Sequence, residues 1–270
     1  MIESWPALPL FVAAILAAIT RGQLRAIVML AAPSLGAYGI YQLEAGRSWS
    51  FQLMGYELTP LRVDALSILF GYLFNIAAFI GVIYALHVKD PMQDLAALAY
   101  AGSAIGAVFA GDLLTLFVYW ELLALTSVFL IFARRRERSI KAGMRYLVIQ
   151  VGSGVLLLAG AIMYAGAGNG LAFEYIGLDA AGGWLIFIAF GIKAAFPMLH
   201  GWLTDAYPEA TPTGTVFLSA FTTKVAIYAL ARGFPGTELL ILIGALMTCF
   251  PIFYAVIEND LRRVLAYSLI

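Results

Sequence analysis

Nine apolar runs of bilayer-crossing length follow one another along this 270-residue chain, separated by short polar links. They occupy 5–20, 24–43, 65–87, 92–110, 113–133, 144–164, 182–204, 214–232 and 236–257, and a tenth begins near Val264. A helix needs roughly 17–25 residues to cross the hydrocarbon of a bilayer. In lipid, every backbone polar group must be satisfied within the protein. The series therefore predicts an all-α polytopic membrane protein with about nine complete transmembrane helices. Composition agrees: 63% of residues are hydrophobic, 12% are charged and the mean hydropathy is +0.91. A soluble domain carries about 25% charged residues.

The links carry further information. A Gly-rich stretch, 165–170, separates the sixth and seventh runs. The longest link, 44–64, alternates weakly through Trp49, Phe51 and Leu53 and reads as a short hairpin or a surface segment. No cationic region precedes the first run, so that run reads as a retained helix, not a signal peptide. Eleven Lys and Arg residues fall in links 1–2, 3–4, 5–6, 7–8 and 9–10, against three in the others. Basic links stay cytoplasmic, so the N-terminus is expected outside. The cluster Arg134, Arg135, Arg136, Arg138, Lys141 and Arg145 is expected on the cytoplasmic side. It reads first as a solvated topogenic loop, and second as a dock for anionic lipid or a partner subunit.

Several function classes are excluded. Net charge is zero, which argues against a nucleic-acid partner. Cys249 is the single cysteine, which rules out a disulfide framework, an all-cysteine zinc site and an iron–sulfur cluster. The two histidines, His87 and His200, lie far apart in sequence. No P-loop, paired-aspartate diphosphate motif, G-x-S-x-G elbow or H-E-x-x-H pattern occurs. No enzyme chemistry, metal or cofactor is expected.

Three ionisable residues are predicted to lie deep in the membrane. Glu121 comes nine residues after Asp112 in the fifth run, about 13 Å along a helix and close to mid-bilayer. Lys193 and Lys224 are similarly central in the seventh and eighth. An intramembrane lysine costs roughly 2.5–3.5 kcal/mol on insertion scales and marks function by default. A Glu–Lys pair steadies both charges, and a lysine released from such a pair yields its proton readily. The residues therefore predict a relay in which Glu121 sets the charge state of Lys193, and Lys193 passes protons through water to Lys224. The bland alternative is an ion pair that fixes helix packing, weakened by the lack of an acidic partner for Lys224.

Pro197 follows Lys193 by four residues, so it cannot donate to the Lys193 carbonyl and clashes with it. The seventh helix is expected to be kinked or broken beside its own lysine. His200 would share the lysine's helical face if the helix resumed, as a relay or packing histidine. Asp112 reads as an N-cap, with a relay or gating role as the alternative. Asp205 and Glu209 read as caps or ligands in the link. Thr211, Thr213, Thr222 and Thr223 read either as water-holding hydroxyls or as helix-facing ones.

Four stretches carry a resemblance: FAGDLLTLFVYWELLALTSVFLI (109–131), IKAAFPMLHGWLTDAYPEATPT (192–213), FTTKVAIYALAR (221–232) and NDLRRVLAYS (259–268). They resemble the proton-conducting membrane subunits shared by respiratory complex I and Mrp-type multisubunit Na+/H+ antiporters. The likeness extends over nearly the whole chain from Asp64 onward. The TKVAIYAL and YPEATPT forms look most like the D-type antiporter subunit.

The resemblance implies a fold of two inverted five-helix repeats, each with a broken helix. It implies that Glu121 is the fifth-helix glutamate, Lys193 the broken-helix lysine, Lys224 the central lysine and Pro197 the break, with His200 similar to a histidine found there. On this reading 1–91 holds helices 1–3, 92–232 the first repeat (helices 4–8) with a proton half-channel, and 233–270 the start of a truncated second repeat. The missing half would lie in the same chain or come from a partner.

Two link positions depart from the family pattern: Leu203-Thr204-Asp205 where Leu-Pro-Asp is usual, and Thr213-Gly214 where Val-Ser is usual. The implied function is proton translocation in a bacterial inner-membrane Na+/H+ antiporter. The expected partners are other membrane subunits, protons, Na+ and the lipid bilayer. The rivals are a complex I or membrane-hydrogenase subunit, with redox chemistry in other chains, and a structural subunit without conduction.

Overall fold

The computed structural model describes residues 5–53 and 55–270. Eleven helices and one hairpin run in the order α1 (Leu8–Ile19), α2 (Gly22–Tyr41), β1 (Ser48–Leu53), β2 (Tyr56–Arg62), α3 (Ala65–Ala85), α4 (Pro91–Phe109), α5 (Leu113–Phe132), α6 (Glu137–Tyr164), α7 (Gly183–Ala194), α8 (Gly201–Ala206), α9 (Pro212–Gly233), α10 (Glu238–Ile257) and α11 (Leu261–Tyr267). Among the described residues, seven helices are long and apolar enough to cross a membrane, whereas α1 and α7 have 12 residues each. The nine complete spans expected from apolarity are thus seven long helices and two short ones.

Helix α4 is the hub. It packs against α1, α3, α5 and α9, and every residue from Ala96 to Phe109 is buried. Its sequence, LAALAYAGSAIGAVF, is rich in Ala, Gly and Ser. With lipid outside, helices associate by close van der Waals approach, which small residues permit. At Gly106 an added Cβ would lie 2.2 Å from the Tyr119 ring of α5, and at Gly102 it would meet Leu10 and Phe11 of α1.

At one end of the bundle, the link 44–64 forms the hairpin, with a register shift between Trp49 and Phe51. Asp112 anchors it. Its carboxylate accepts the Thr115 amide at 2.7 Å, capping α5, and the Thr59 amide of β2 at 2.7 Å. Nearby, Asp64 caps α3 through Ser67 and takes two bonds from Arg232 of α9, at 2.7 and 2.8 Å. Burial raises the Asp64 carboxyl, but the Arg232 hydrogen bond, the Ser67 amide and the charges of Arg232 and Arg62 outweigh it and hold the pKa at about 2.

The opposite end is basic and differs from expectation in two respects. Helix α6 begins at Glu137, not near residue 144, because apolarity marks the hydrocarbon while the helix runs on past it. Arg138, Lys141 and Arg145 therefore lie on helix. Nor is the cluster simply solvated. Arg145 makes a bidentate bond to Asp205, at 2.8 Å for each contact. Arg138 pairs with Glu209 at 2.9 Å, and Arg134 donates to the Pro208 carbonyl at 2.6 Å. The basic segment thus grips the end of α8 and the link that follows it to α9. Helix α11, in the place of the tenth apolar run, opens at Leu261, capped by Asp260, three residues before that run suggested.

Candidate functional site

The seventh helix is broken, as Pro197 required. Helix α7 stops at Ala194 and α8 starts at Gly201. Ala195 and Met198 take left-handed conformations, φ 64° and 69°, which turn the chain out of the helix. The Ala195 and Phe196 amides close the end by bonding the Ile192 and Gly191 carbonyls at 3.1 and 2.9 Å. The Trp202 indole reaches back across the gap to the Ile192 carbonyl at 2.8 Å. The Ile192 carbonyl, already bonded by the Ala195 amide, thereby gains a second donor inside the bundle.

Lys193 occupies the last turn of α7 and is 0% exposed. The end of a helix carries partial negative charge, which favours a cation there. Its Nζ donates to the Trp120 carbonyl of α5 at 2.7 Å and lies 4.4 Å from the centre of the Trp120 ring. Trp120 is in turn fixed: its indole donates to Ser153 Oγ of α6 at 2.9 Å, and Ser153 donates to the Ala189 carbonyl of α7 at 2.8 Å. This closed circuit ties α5, α6 and α7 around the buried ammonium.

Glu121 is the next residue along α5, but it forms no direct ion pair with Lys193 among the described residues. Its Oε1 is buried without a hydrogen-bond partner. The carboxylate lies against α6 at Gly154, where an added Cβ would sit 1.5 Å from Oε1. Glu121 and Lys193 are thus brought to the same place through Trp120 without touching.

Lys224, on α9, is half-buried. Its Nζ donates to Thr223 Oγ1 at 3.1 Å, and it too has no carboxylate partner among the described residues. Helix α9 packs against α7. His200 does not share the helical face of Lys193, because the break interrupts the seven-residue spacing. It stands before α8, its ring 4.7 Å from that of Phe250 on α10, with Nδ1 buried and unpaired. Asp112 is an N-cap at the far end of α5, remote from this circuit in sequence and engaged with the hairpin. Asp205 and Glu209 are held by the basic segment. Thr211 caps α9 and donates to Gln93 at 2.7 Å, and Gln93 donates to Thr213 at 2.6 Å.

Sequence reasoning did not single out several polar groups here. Trp120 and Ser153 look like ordinary packing residues within apolar runs. Gln150 carried a readable signal, an amide inside the apolar part of α6. It is 0% exposed, and neither polar atom of its amide has a partner. One turn before it, Tyr146 shares a hydrogen bond of 2.7 Å with Ser127 of α5. Tyr100 of α4 bonds the Thr222 hydroxyl and accepts the Thr222 amide at 2.9 Å, while the Tyr207 hydroxyl donates to the Leu218 carbonyl at 2.9 Å. Among the described residues no group of three or more His, Cys, Asp and Glu side chains could hold a metal. The chemistry available is that of two ammonium groups, one carboxylate, an imidazole and neutral hydroxyl and amide groups, which suits proton transfer.

Residues 110–270 match the family described as NADH:quinone oxidoreductase/Mrp antiporter, TM. The chain is 27% identical over 233 residues to hydrogenase-4 component B of Escherichia coli, covering 77% of this chain and 35% of that protein. It is 28% identical over 231 residues to Na(+)/H(+) antiporter subunit A1 of Staphylococcus haemolyticus, covering 77% of this chain and 29% of that protein. The chain spans about a third of the length of these curated relatives.

Among solved structures, a chain of respiratory complex I from Thermus thermophilus matches with a TM-score of 0.82 and 23% identity, over 100% of this chain and 61% of that one. A chain of the Mrp complex from a Dietzia species matches with a TM-score of 0.79 and 22% identity, over 100% and 57%. At that identity the likeness is one of fold. Together with the seven long apolar helices, the family match makes this a multi-pass membrane protein.

Proposed function

We propose, from the premise that the chain belongs to the NADH:quinone oxidoreductase/Mrp antiporter transmembrane family, that it is the proton-translocating membrane subunit of a multisubunit Na+/H+ antiporter. Protons pass along Glu121, Lys193 and Lys224. One observation carries this reading: the Lys193 ammonium is fully buried beside a helix break and bonds a single carbonyl. An ammonium has three donors; one meets the Trp120 carbonyl and the Trp120 ring faces the charge, so the ammonium still has room for water or a mobile proton acceptor. A purely structural lysine would be saturated or paired. The break also places the negative end of α7 at this charge, a device suited to a cation that comes and goes.

Glu121, unpaired and close by, biases the charge on Lys193, and Lys224 receives the proton through water. His200, with its free Nδ1 against Phe250, is a further relay or gating group at the break made by Pro197. Asp112 serves as a joint between α5 and the hairpin. The chain divides into 1–91, preceding helices; 92–232, the first antiporter-like repeat with its half-channel; and 233–270, the start of a second repeat. The N-terminus lies outside the bacterial inner membrane and the Arg134–Arg145 end is cytoplasmic. The YPEATPT link supports a D-type protein, while the antiporter relative matched above is an A1 subunit. Other membrane subunits complete the assembly.

The resemblance to hydrogenase-4 component B supports a second reading, in which the same relay is driven by redox chemistry in partner chains of a hydrogenase or complex I. Everted vesicles containing the intact assembly separate the two. An imposed Na+ gradient should drive dye-reported proton movement with the wild type and not with Lys224→Ala. Proton movement that follows substrate oxidation and ignores Na+ would favour the redox-driven assembly. Undiminished movement with Lys224→Ala under both conditions would refute the relay.

A further inference from the structure

At the basic end of the bundle, a pocket of about 580 Å³ opens where α2 begins, α3 ends and α4 begins. Three cations line it. Arg21 and Lys89 are exposed, and Arg25 is half-buried. Arg25 is fixed in place: Nε and Nη2 donate to the Thr20 carbonyl at 2.9 and 2.8 Å, and Nη1 reaches Asp94 at 3.4 Å. Asp94, itself buried, is the one carboxylate lining the pocket. The neighbouring Asp90 is occupied by Arg135 at 3.0 Å. Neither Arg21 nor Lys89 has a carboxylate partner among the described residues.

Three positive charges against one negative leave an unbalanced cationic site. The positive ends of two long helices, α2 and α4, open beside it. Its floor is apolar, with Met29 and Ala85 buried beneath the charges. Cations above an apolar floor, at the level where helices leave the hydrocarbon, match the phosphate and the upper acyl chain of a lipid.

We propose that this pocket binds the headgroup of an anionic phospholipid, with Arg21 and Lys89 gripping its phosphate and an acyl chain lying on Met29. Arg25 is the fixed base of the site, and Asp94 sets its geometry. A zwitterionic lipid carries its own cation and gains less from the unbalanced charge. This inference does not depend on the proton relay.

The test is native mass spectrometry of the intact assembly, extracted after incubation with vesicles of phosphatidylglycerol or of phosphatidylcholine. The wild type should retain phosphatidylglycerol over phosphatidylcholine by about tenfold. Arg21→Gln with Lys89→Gln should bring the two lipids close to parity. Arg136→Gln with Lys141→Gln, which removes equal charge from the same end, should keep the preference. Excess inorganic phosphate should leave the lipid in place. Equal retention of both lipids by the wild type, an unchanged preference in the Arg21/Lys89 variant, or displacement by phosphate would overturn the proposal. The last result would assign the site to a free anion.

Discussion

Lys193 of α7 is held twice by Trp120 of α5: its ammonium donates to the Trp120 carbonyl at 2.7 Å and lies 4.4 Å from the centre of the same ring. A backbone dipole and an aromatic face thus share one buried charge. Glu121 is the next residue on α5, so a rotation of α5 that moves its carboxylate also moves the carbonyl on which Lys193 rests. Acid and base are coupled through one aromatic residue without an ion pair between them.

Gly154 tests whether the position of Glu121 matters. A methyl there would lie 1.5 Å from Oε1 and 2.6 Å from Cδ of Glu121. The carboxylate ends a flexible side chain and can swing aside, and alanine is favoured over glycine in a helix by up to about 1 kcal/mol. Gly154→Ala should leave thermal stability near that of the wild type and lower proton transport at least about tenfold, as misplaced catalytic groups do. Unchanged transport would show that packing against α6 does not position the acid.

Gln150 separates packing from conduction. Its amide is buried with both polar atoms unpaired, and such groups either hold ordered water or cost about 1–3 kcal/mol. Gln150→Leu should therefore hold or raise the melting temperature of the assembly while slowing transport. Wild-type transport rates in this variant would remove Gln150 from the path.

Trp202 secures the break. Trp202→Phe deletes one of the two donors to the Ile192 carbonyl and leaves it the Ala195 amide alone, at an expected cost of about 0.5–1.5 kcal/mol. Scanning calorimetry should show the loss. The variant should also fray the end of α7, so that hydrogen exchange rises at Gly191–Lys193. An unaltered exchange pattern would mean that the α7 end is held by its own capping amides alone.

The helices were legible in the sequence because lipid imposes one simple demand. The runs 24–43, 65–87, 113–133, 214–232 and 236–257 end within two residues of α2, α3, α5, α9 and α10. The break was legible because proline removes a specific donor next to Lys193. The start of α6 was not, since nothing apolar marks a helix outside the hydrocarbon. Nor were the contacts of Arg145 with Asp205 and of Trp120 with Ser153, which join residues 60 and 33 positions apart. The three charges expected inside the membrane could be named from residue type and position in the apolar runs. That Glu121 and Lys193 meet through Trp120, not directly, depended on which faces of α5 and α7 come together.

Asp64 should behave as a structural residue. Its folded pKa of about 2 lies below the ordinary 3.8. A depressed carboxyl contributes stability that is complete above its unfolded pKa and is lost as pH falls through the folded one. Asp64→Asn keeps an N-cap but loses the charge opposite Arg232. The side chain is about a third exposed, so screening limits the cost to about 1 kcal/mol or less. That cost should be present at neutral pH and vanish between about pH 4 and 2, with transport at neutral pH little changed. A loss of transport larger than the loss of folded assembly would draw this end of the bundle into the conduction path.

The most direct test of the account is proton flux through proteoliposomes carrying the assembly with Lys193→Ala. Removing a buried, partly satisfied charge should leave assembly and melting temperature at or above wild-type values. Gradient-driven proton flux, followed with a trapped pH dye, should fall to the level of empty liposomes. Wild-type flux in a correctly assembled Lys193→Ala complex would contradict the account.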